Sequence, residues 1–575
     1  MQKFIFVVAM VAWIYAQNIH NDYNMFVVDD TPKNPAWVHV ADLDNDGHDE
    51  LVVSVFADSS PLGAGFVSIY KRQDGINKWQ KFYLPGSENI AFPNDTTIID
   101  IDGDNDLDII LPSGFLATAP YHSGALRWFE NLGQNKWKTH VICKEQKLFY
   151  HYVAYEDIDN DGIHDMVTVG EFKGLTGESE AKVQFFKGLG EAKFAQKPTT
   201  IMNSCLGSIP TLRDLDNDGD LDIISAQYFA KGASAAWLEN KGSGKWEKHI
   251  IENGVGPCIQ LSIIDNLCHN GQTMAVLSNH VNTHDQPKGP TEGIFMYEVP
   301  SDYKNLTKPW SRKLISKGIK SRPSPWGAPQ AAPGVFQCGD VTGNHLQDIV
   351  VSGDGDSRIF LLEQTQPGHF ETKVLMDNMA QAGVAVADLD EDGICEIIVS
   401  SYEHNKIVIL QRSMEKVIAR ITNEFRQQGR DIEFISGKVR TIPKMPEKLG
   451  NGGVVEYKLL YPGGSKRAGY IKHDLVGGHV YVTTVGFSLE GTYHIWQEVN
   501  PTPRPKIEVK SSFFYSPEGG SVKVGNGKVR SHLVAFTTVG KMCKQKIIGG
   551  YLFINPIWGS ASGHYFIFQE AIEAK

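Results

Sequence analysis

Asp42-Leu43-Asp44-Asn45-Asp46-Gly47-His48-Asp49-Glu50, running straight into Leu51-Val52-Val53-Ser54-Val55, decides the fold. Carboxylates stand at positions one, three, five and nine of a tight turn, with glycine at position six and an aliphatic strand behind it. The same grammar returns at Asp100, Asp102, Asp104 and Asp108; at Asp157, Asp159, Asp161 and Asp165; at Asp214, Asp216, Asp218 and Asp222; and at Asp388, Asp390, Asp392 and Glu396. Two weaker copies are Asp340, Asn344 and Asp348, and Asp265-Asn266-Leu267 with Asn270-Gly271. Alternate residues of such a turn aim their carboxylates inward, where they repel one another unless a hard dication binds, and Ca2+ takes six to eight oxygens at about 2.3–2.6 Å. Gly or Asn at position six permits the left-handed backbone that closes the loop. Structural Ca2+ at about five to seven sites is the expectation. The flanks alternate as strands, so these loops are not EF-hands, which need helices on both sides.

Successive loops lie about 57 residues apart for the first four and then about 51, 75 and 48, a period that signals a propeller or solenoid. Each period also carries an aromatic strand and a further one, as in Arg127-Trp128-Phe129-Glu130-Asn131 with Trp137 to Ile142, and Ala236-Trp237-Leu238-Glu239-Asn240 with Trp246 to Ile251. Four strands per period, seven times over, predict a seven-bladed β-propeller, with these aromatics packing between blades. The last period ends after one further strand, Lys406 to Gln411, while Met25 to Val28 is a strand without a partner ahead of the first loop. Pairing the two would close the ring and hide its edges.

These repeats resemble the FG-GAP/VCBS family, the calcium-loop propellers of integrin heads and many secreted proteins. The resemblance spans roughly residues 20 to 412 and implies the fold and the calcium loops. A more distant similarity, in layout, is to aldos-2-ulose dehydratase, a lyase of keto-sugars in which a propeller precedes further β domains.

Residues 1–16 read as a signal peptide, with Lys3 ahead of an apolar run from Phe4 to Ala16 that is too short to span a bilayer. A secreted, extracellular protein without a transmembrane anchor is expected. The propeller then occupies 17–412, and 413–575, with alternating strand patterns between Gly, Pro and Ser turns, reads as a β-sandwich, jelly roll or degenerate cupin-like domain. The net charge is −12, and 413–575 holds 22 Lys and Arg against 13 Asp and Glu, a net of +9, which leaves −21 on the first 412 residues. The acidic excess sits largely in the metal loops, and nucleic acid is not an expected partner. The H-x-H pair of a metal cupin is missing, since His473, His479, His494, His532 and His564 stand singly. Seven cysteines are too few for a disulfide framework, although Cys258 and Cys268 are spaced to bridge a hairpin. Asn94-Asp95-Thr96 and Asn305-Leu306-Thr307 are glycosylation sequons.

With the acidic loops on one face, the remaining connections converge on the other, and long irregular connections inside a compact fold tend to be functional. They carry His122, His151, His280 and His284 as candidate acid/base or metal-ligating residues, and Tyr121, Tyr152, Tyr228, Asp285, Arg322, Trp326, Gln330, Tyr402 and His404 as candidate ligand contacts. Aromatics mixed with donors and acceptors suit a sugar, and a near-neutral histidine suits proton removal beside a keto group. Two functions therefore follow. One is a calcium-stabilised binding or adhesion module for a glycan, a small sugar or an extracellular protein. The other is a sugar lyase or isomerase similar to the dehydratase.

Overall fold

A computed structural model of the chain describes residues 22–57, 65–73, 75–114, 124–173, 179–207, 209–281, 292–321, 331–377 and 382–413, together with the backbone of ten strands between Gly453 and Ala571. Two compact units are present, 1–412 and 413–575. Residues 1–16, expected to be a signal peptide, and the candidates Tyr121, His122, His284, Asp285, Arg322, Trp326 and Gln330 lie outside the described residues.

The first unit is a seven-bladed β-propeller, each blade a four-stranded antiparallel sheet. Six blades are built from consecutive strands, for example Pro35–Ala41, Glu50–Val55, Phe66–Arg72 and Trp79–Tyr83. The seventh joins Ala382–Ala387, Glu396–Ser401 and Lys406–Arg412 to the N-terminal strand Tyr23–Asp29 as its outer member, in a register that sets Tyr23 opposite Arg412 and Met25 opposite Leu410. The anticipated closure of the ring is thus present, one or two residues longer at each end than the apolar pattern suggested.

The core consists of seven apolar clusters, each filling the gap between two adjacent blades. Second strands such as Glu50–Val55 and Glu396–Ser401 are buried along their whole length, since they are covered on both faces. Trp128 and Trp237 are at most 1% exposed, and each packs a histidine of the neighbouring strand, His140 and His249, with ring centroids 4.1 and 4.7 Å apart. The strand aromatics are therefore packing residues, as their pattern implied.

Six of the seven cysteines are described and all six are free thiols. Cys258 and Cys268 belong to different inter-blade clusters, so the bridge that their spacing suggested does not form. Asn94 is fully buried and its amide donates to the carbonyls of Gly114 and Tyr150. That excludes this sequon as a carrier of glycan in the folded protein, whereas Asn305 is exposed.

In the second unit the described strands pair as two four-stranded antiparallel sheets and one hairpin, Ser512–Tyr515 with Ser521–Val524.

Candidate metal loops and a central cavity

Each acidic loop joins the first strand of its blade to the second, and the sequence dictates its shape position by position. The residue at position two is an apolar plug in the inter-blade core: Leu43, Ile101, Ile158, Leu215, Val341 and Leu389 are all below 9% exposed. Its backbone N–H donates to the carboxylate at position nine, as in Leu43 to Glu50 at 2.8 Å, Leu215 to Asp222 at 2.9 Å and Leu389 to Glu396 at 2.9 Å. The first carboxylate accepts from the backbone at positions five and six, as Asp42 does from Asp46 and Gly47 at 3.1 and 2.8 Å. Positions four and six both lie in the left-handed region, with φ of 56° at Asn45 and 85° at Gly47, 58° at Asn160 and 85° at Gly162. This is why Asn and Gly occupy them.

One oxygen from each of Asp42, Asp44 and Glu50 lies within 4.8 Å of the others, and the same holds for Asp100, Asp102 and Asp108, for Asp157, Asp159 and Asp165, and for Asp214, Asp216 and Asp218. Oxygens so spaced can surround a hard dication. Burial is the main cause that lifts the ninth-position carboxyls: Glu50, Asp108, Asp222 and Asp348 to about 7, Asp165 to about 6 and Glu396 to about 8, with Lys71 opposing it at Glu50 and Lys187 at Asp165. The other loop carboxylates add to the shift by like charge.

The two weak copies fold alike with fewer acids. In blade six, Asn344 and His345 donate to Asp340, Thr342 is buried at position three, and the Asn344 amide donates to the Gln364 carbonyl, which commits it to the backbone. In blade five the first position is Asn266, whose side chain accepts from Gly271 at 2.8 Å, not Asp265; Asp265 ends the preceding strand and pairs with Arg213. The aspartate in the sequence drew the reading one residue early. Positions one, three and five are then Asn266, Cys268 and Asn270, a set without a carboxylate.

At the opposite ends of the strands the candidates fall into separate groups. His280 is held by a 2.7 Å hydrogen bond from Nδ1 to the carbonyl of Pro333, which leaves Nε2 3.6 Å from Asp354. Its ring stacks edge-on to Tyr228 at 5.0 Å, and Phe229 and Phe149 continue the contact to His151. Burial, and secondarily the charge of His280, pushes His151 down to about 4, so it is neutral at pH 7. Burial raises the Asp354 carboxyl, with His280 opposing, and burial and then Asp354 raise Glu403. Tyr402 belongs elsewhere, edge-on to Phe56, beside His404, whose Nδ1 lies 3.3 Å from Ser401 Oγ. Burial and then Lys406 lower the pKa of His404. His151, Tyr228 and His280 are thus brought together, and Asp354 joins them unforeseen.

Tyr152 lines a cavity of about 400 Å³ along the propeller axis, walled by the first strands of the blades. Its polar lining includes His39, Asp95, Thr211, Gln260 and Gln337, with Trp37 and Tyr155 as aromatic walls. His39 Nε2 forms a short contact with Asp95 Oδ1. Burial works against the His39 cation, but the charge and hydrogen bond of Asp95 prevail and raise its pKa above the usual value. The Tyr152 hydroxyl is raised by burial and then by Asp95. Two of these strands, Thr97–Ile99 and Thr211–Arg213, are only three residues long. The alternation that turns one polar side chain inward per pleat was the available signal.

Residues 340–399, from the loop of blade six into the second strand of blade seven, match the family model described as FG-GAP-like repeat. The chain is thus a seven-bladed propeller carrying an FG-GAP-like repeat. No curated protein matches it by sequence. Solved structures similar to it include an α-L-arabinofuranosidase from Fusarium graminearum in complex with an iminosugar inhibitor (9% identity, 68% of this chain and 98% of that one, TM-score 0.37). Others are a Penicillium chrysogenum α-L-arabinanase complexed with arabinobiose (12%, 69% and 98%, 0.36) and Trypanosoma rangeli sialidase (10%, 97% and 97%, 0.32). At this level of likeness no residue or activity is transferred. The similarity to aldos-2-ulose dehydratase finds no support.

Proposed function

We propose that the chain is a secreted, calcium-stabilised propeller that binds a small carbohydrate in its axial cavity. The observation that carries the reading is the lining of that cavity. A volume of about 400 Å³ lies within the range of small-molecule sites. Its wall combines the aromatic side chains of Trp37 and Tyr152 with a carboxylate, an imidazole and the carboxamide of Gln337, while Gln260 and Tyr155 brace the wall through the Phe336 backbone and the inter-blade core. Sugars need both: C–H faces stack on rings, and hydroxyls need donors and acceptors in fixed places. The His39–Asp95 pair is pre-oriented, so two polar groups are already in position before a ligand arrives. Calcium serves the scaffold in this reading, neutralising carboxylate clusters at the other ends of the first strands.

Isothermal titration of the calcium-loaded protein against a panel of mono- and disaccharides tests the proposal. Binding that weakens at least tenfold in Asp95→Asn or Gln337→Ala, with an unchanged melt, supports it. Binding unaffected by both substitutions would sink it. No helix among the described residues is long and apolar enough to cross a membrane.

A further inference from the structure

The acidic loops are not equivalent, and the residue that separates them sits on the third strand of each blade. One residue beyond position nine, the second strand pairs Leu51 with Tyr70, Ile109 with Phe129, Met166 with Phe186 and Ile223 with Leu238. The next residue along the third strand is therefore at one structural position in all four blades. It is Lys71 in blade one and Lys187 in blade three, but Glu130 in blade two and Glu239 in blade four.

The lysines reach into the loops. Lys71 Nζ contacts Asp44 and lies 2.9 Å from Asp46; Lys187 Nζ contacts Asp159 and lies 2.7 Å from Asp161. These carboxylates are positions three and five, the ones a divalent ion would use. Among the described residues no lysine or arginine reaches Asp102 or Asp104 in blade two, or Asp216 or Asp218 in blade four. The glutamates there add a carboxylate beside the loop, and each is engaged on its far side, Glu130 by Lys138 and His140, Glu239 by Lys241, His249 and Tyr303. The contrast appears in two independent blades on each side.

We propose that Lys71 and Lys187 are built-in counter-ions: their ammonium groups hold the loops of blades one and three closed in place of metal, and tight divalent-ion binding belongs to the acidic loops without such a lysine, those of blades two and four and that of blade seven, where Gln411 stands at the same position. An ammonium bonded to two carboxylates occupies the space in which Ca2+ would need those same oxygens, and its charge opposes a second cation beside it. The ninth position does not separate the blades, since both oxygens of Asp165 accept backbone N–H groups, from Ile158 and Gly188, as those of Asp108 and Asp222 do from theirs. In blade one, Glu50 Oε1 has no protein partner. The inference refines the calcium part of the proposed function and does not touch the sugar site.

The test is a titration of the full chain, stripped of metal, with Ca2+ by calorimetry and with Tb3+ by sensitised luminescence. Asp102→Asn and Asp216→Asn should each remove one tight equivalent, whereas Asp44→Asn and Asp159→Asn should remove none. Lys71→Met and Lys187→Met should each add an equivalent or tighten a weak one by about tenfold, roughly what a competing cation loses by having to break two half-exposed ion pairs. Loss of a tight equivalent in Asp44→Asn or Asp159→Asn, or titrations unchanged in both lysine variants, would overturn the assignment. Should the lysine variants melt below the working temperature, anomalous scattering from Mn2+ in crystals of the wild type decides. Peaks in loops two and four that are absent from loops one and three uphold it, and peaks of equal height in loops one and three overturn it. A wild type that binds no metal would overturn the assignment of tight sites and remove calcium from the proposed function, whereas tight binding untouched by Asp102→Asn and Asp216→Asn would overturn this inference alone.

Discussion

Replacing Tyr23 by alanine tests the closure of the ring at its most concentrated point. Tyr23 begins the strand that completes blade seven; it is 2% exposed, it packs into the cluster between blades six and seven, and its hydroxyl donates to the carbonyl of Val341 at 3.2 Å. Removing a buried aromatic costs about 3–5 kcal/mol, through lost transfer energy and the cavity left behind. Tyr23→Phe keeps the ring and deletes only what the hydroxyl bonds, the Val341 carbonyl and Arg412, which isolates a contribution of about 1–2 kcal/mol. Urea unfolding of the full chain, followed by tryptophan fluorescence, reads both variants against the wild type. The decisive result is their difference: a large fall in midpoint for alanine and a small one for phenylalanine. An alanine variant that loses less than about 1 kcal/mol would behave as a surface substitution, and the N-terminal strand would then have no part in holding the propeller shut.

Chelation of the full chain should lower the melting temperature substantially, because a ligand that binds only the folded state stabilises it by mass action, about 2.7 kcal/mol at a hundredfold excess over Kd; Asp214→Ala should reproduce part of the loss, and equal melts with and without chelator would contradict structural metal. The pH dependence of the chelated protein has a definite sign. The ninth-position carboxyls are raised to about 6–8 in the folded state, so the folded chain binds more protons than the unfolded one between the ordinary carboxylate range and about pH 8, and stability falls as pH rises through that window. Melting points of the chelated protein from pH 5 to 8 should decline, and added calcium should flatten the trend; a rise with pH would show the carboxyls to be ionised and compensated some other way. Expressed in a glycosylating host, the protein should carry glycan on no more than Asn305, and peptide mapping that finds a modified Asn94 in folded material would contradict its burial.

Much of the propeller was legible because each blade states its geometry several times in a few residues. In Asp42-Leu43-Asp44 the acidic residues face the loop centre while Leu43 enters the core, and the same alternation set blade number and closure. What could not be read was whatever depends on which residues meet across long stretches of chain. Lys71 reaches Asp44 over 27 positions, and Lys187 reaches Asp159 over 28, pairings that only the strand register fixes. The cavity was overlooked for a related reason. Its wall is assembled from one or a few residues of each of the seven first strands, such as His39, Thr97 and Thr211, and none of these stands out alone. The long connections drew attention instead, and of the residues nominated there His151, Tyr228 and His280 do converge, whereas Tyr402 and His404 form a group of their own. Asp265 shows the opposite failure, an acidic residue in the right composition but one position out of register.

The most direct test of the account is a crystal structure of the calcium-loaded protein with the tightest-binding sugar of the panel. Density for that sugar on the axis, within hydrogen-bond reach of Asp95 and Gln337 and against the ring of Tyr152, is the result the account predicts. A sugar bound elsewhere, with the axial cavity holding only water, would contradict it.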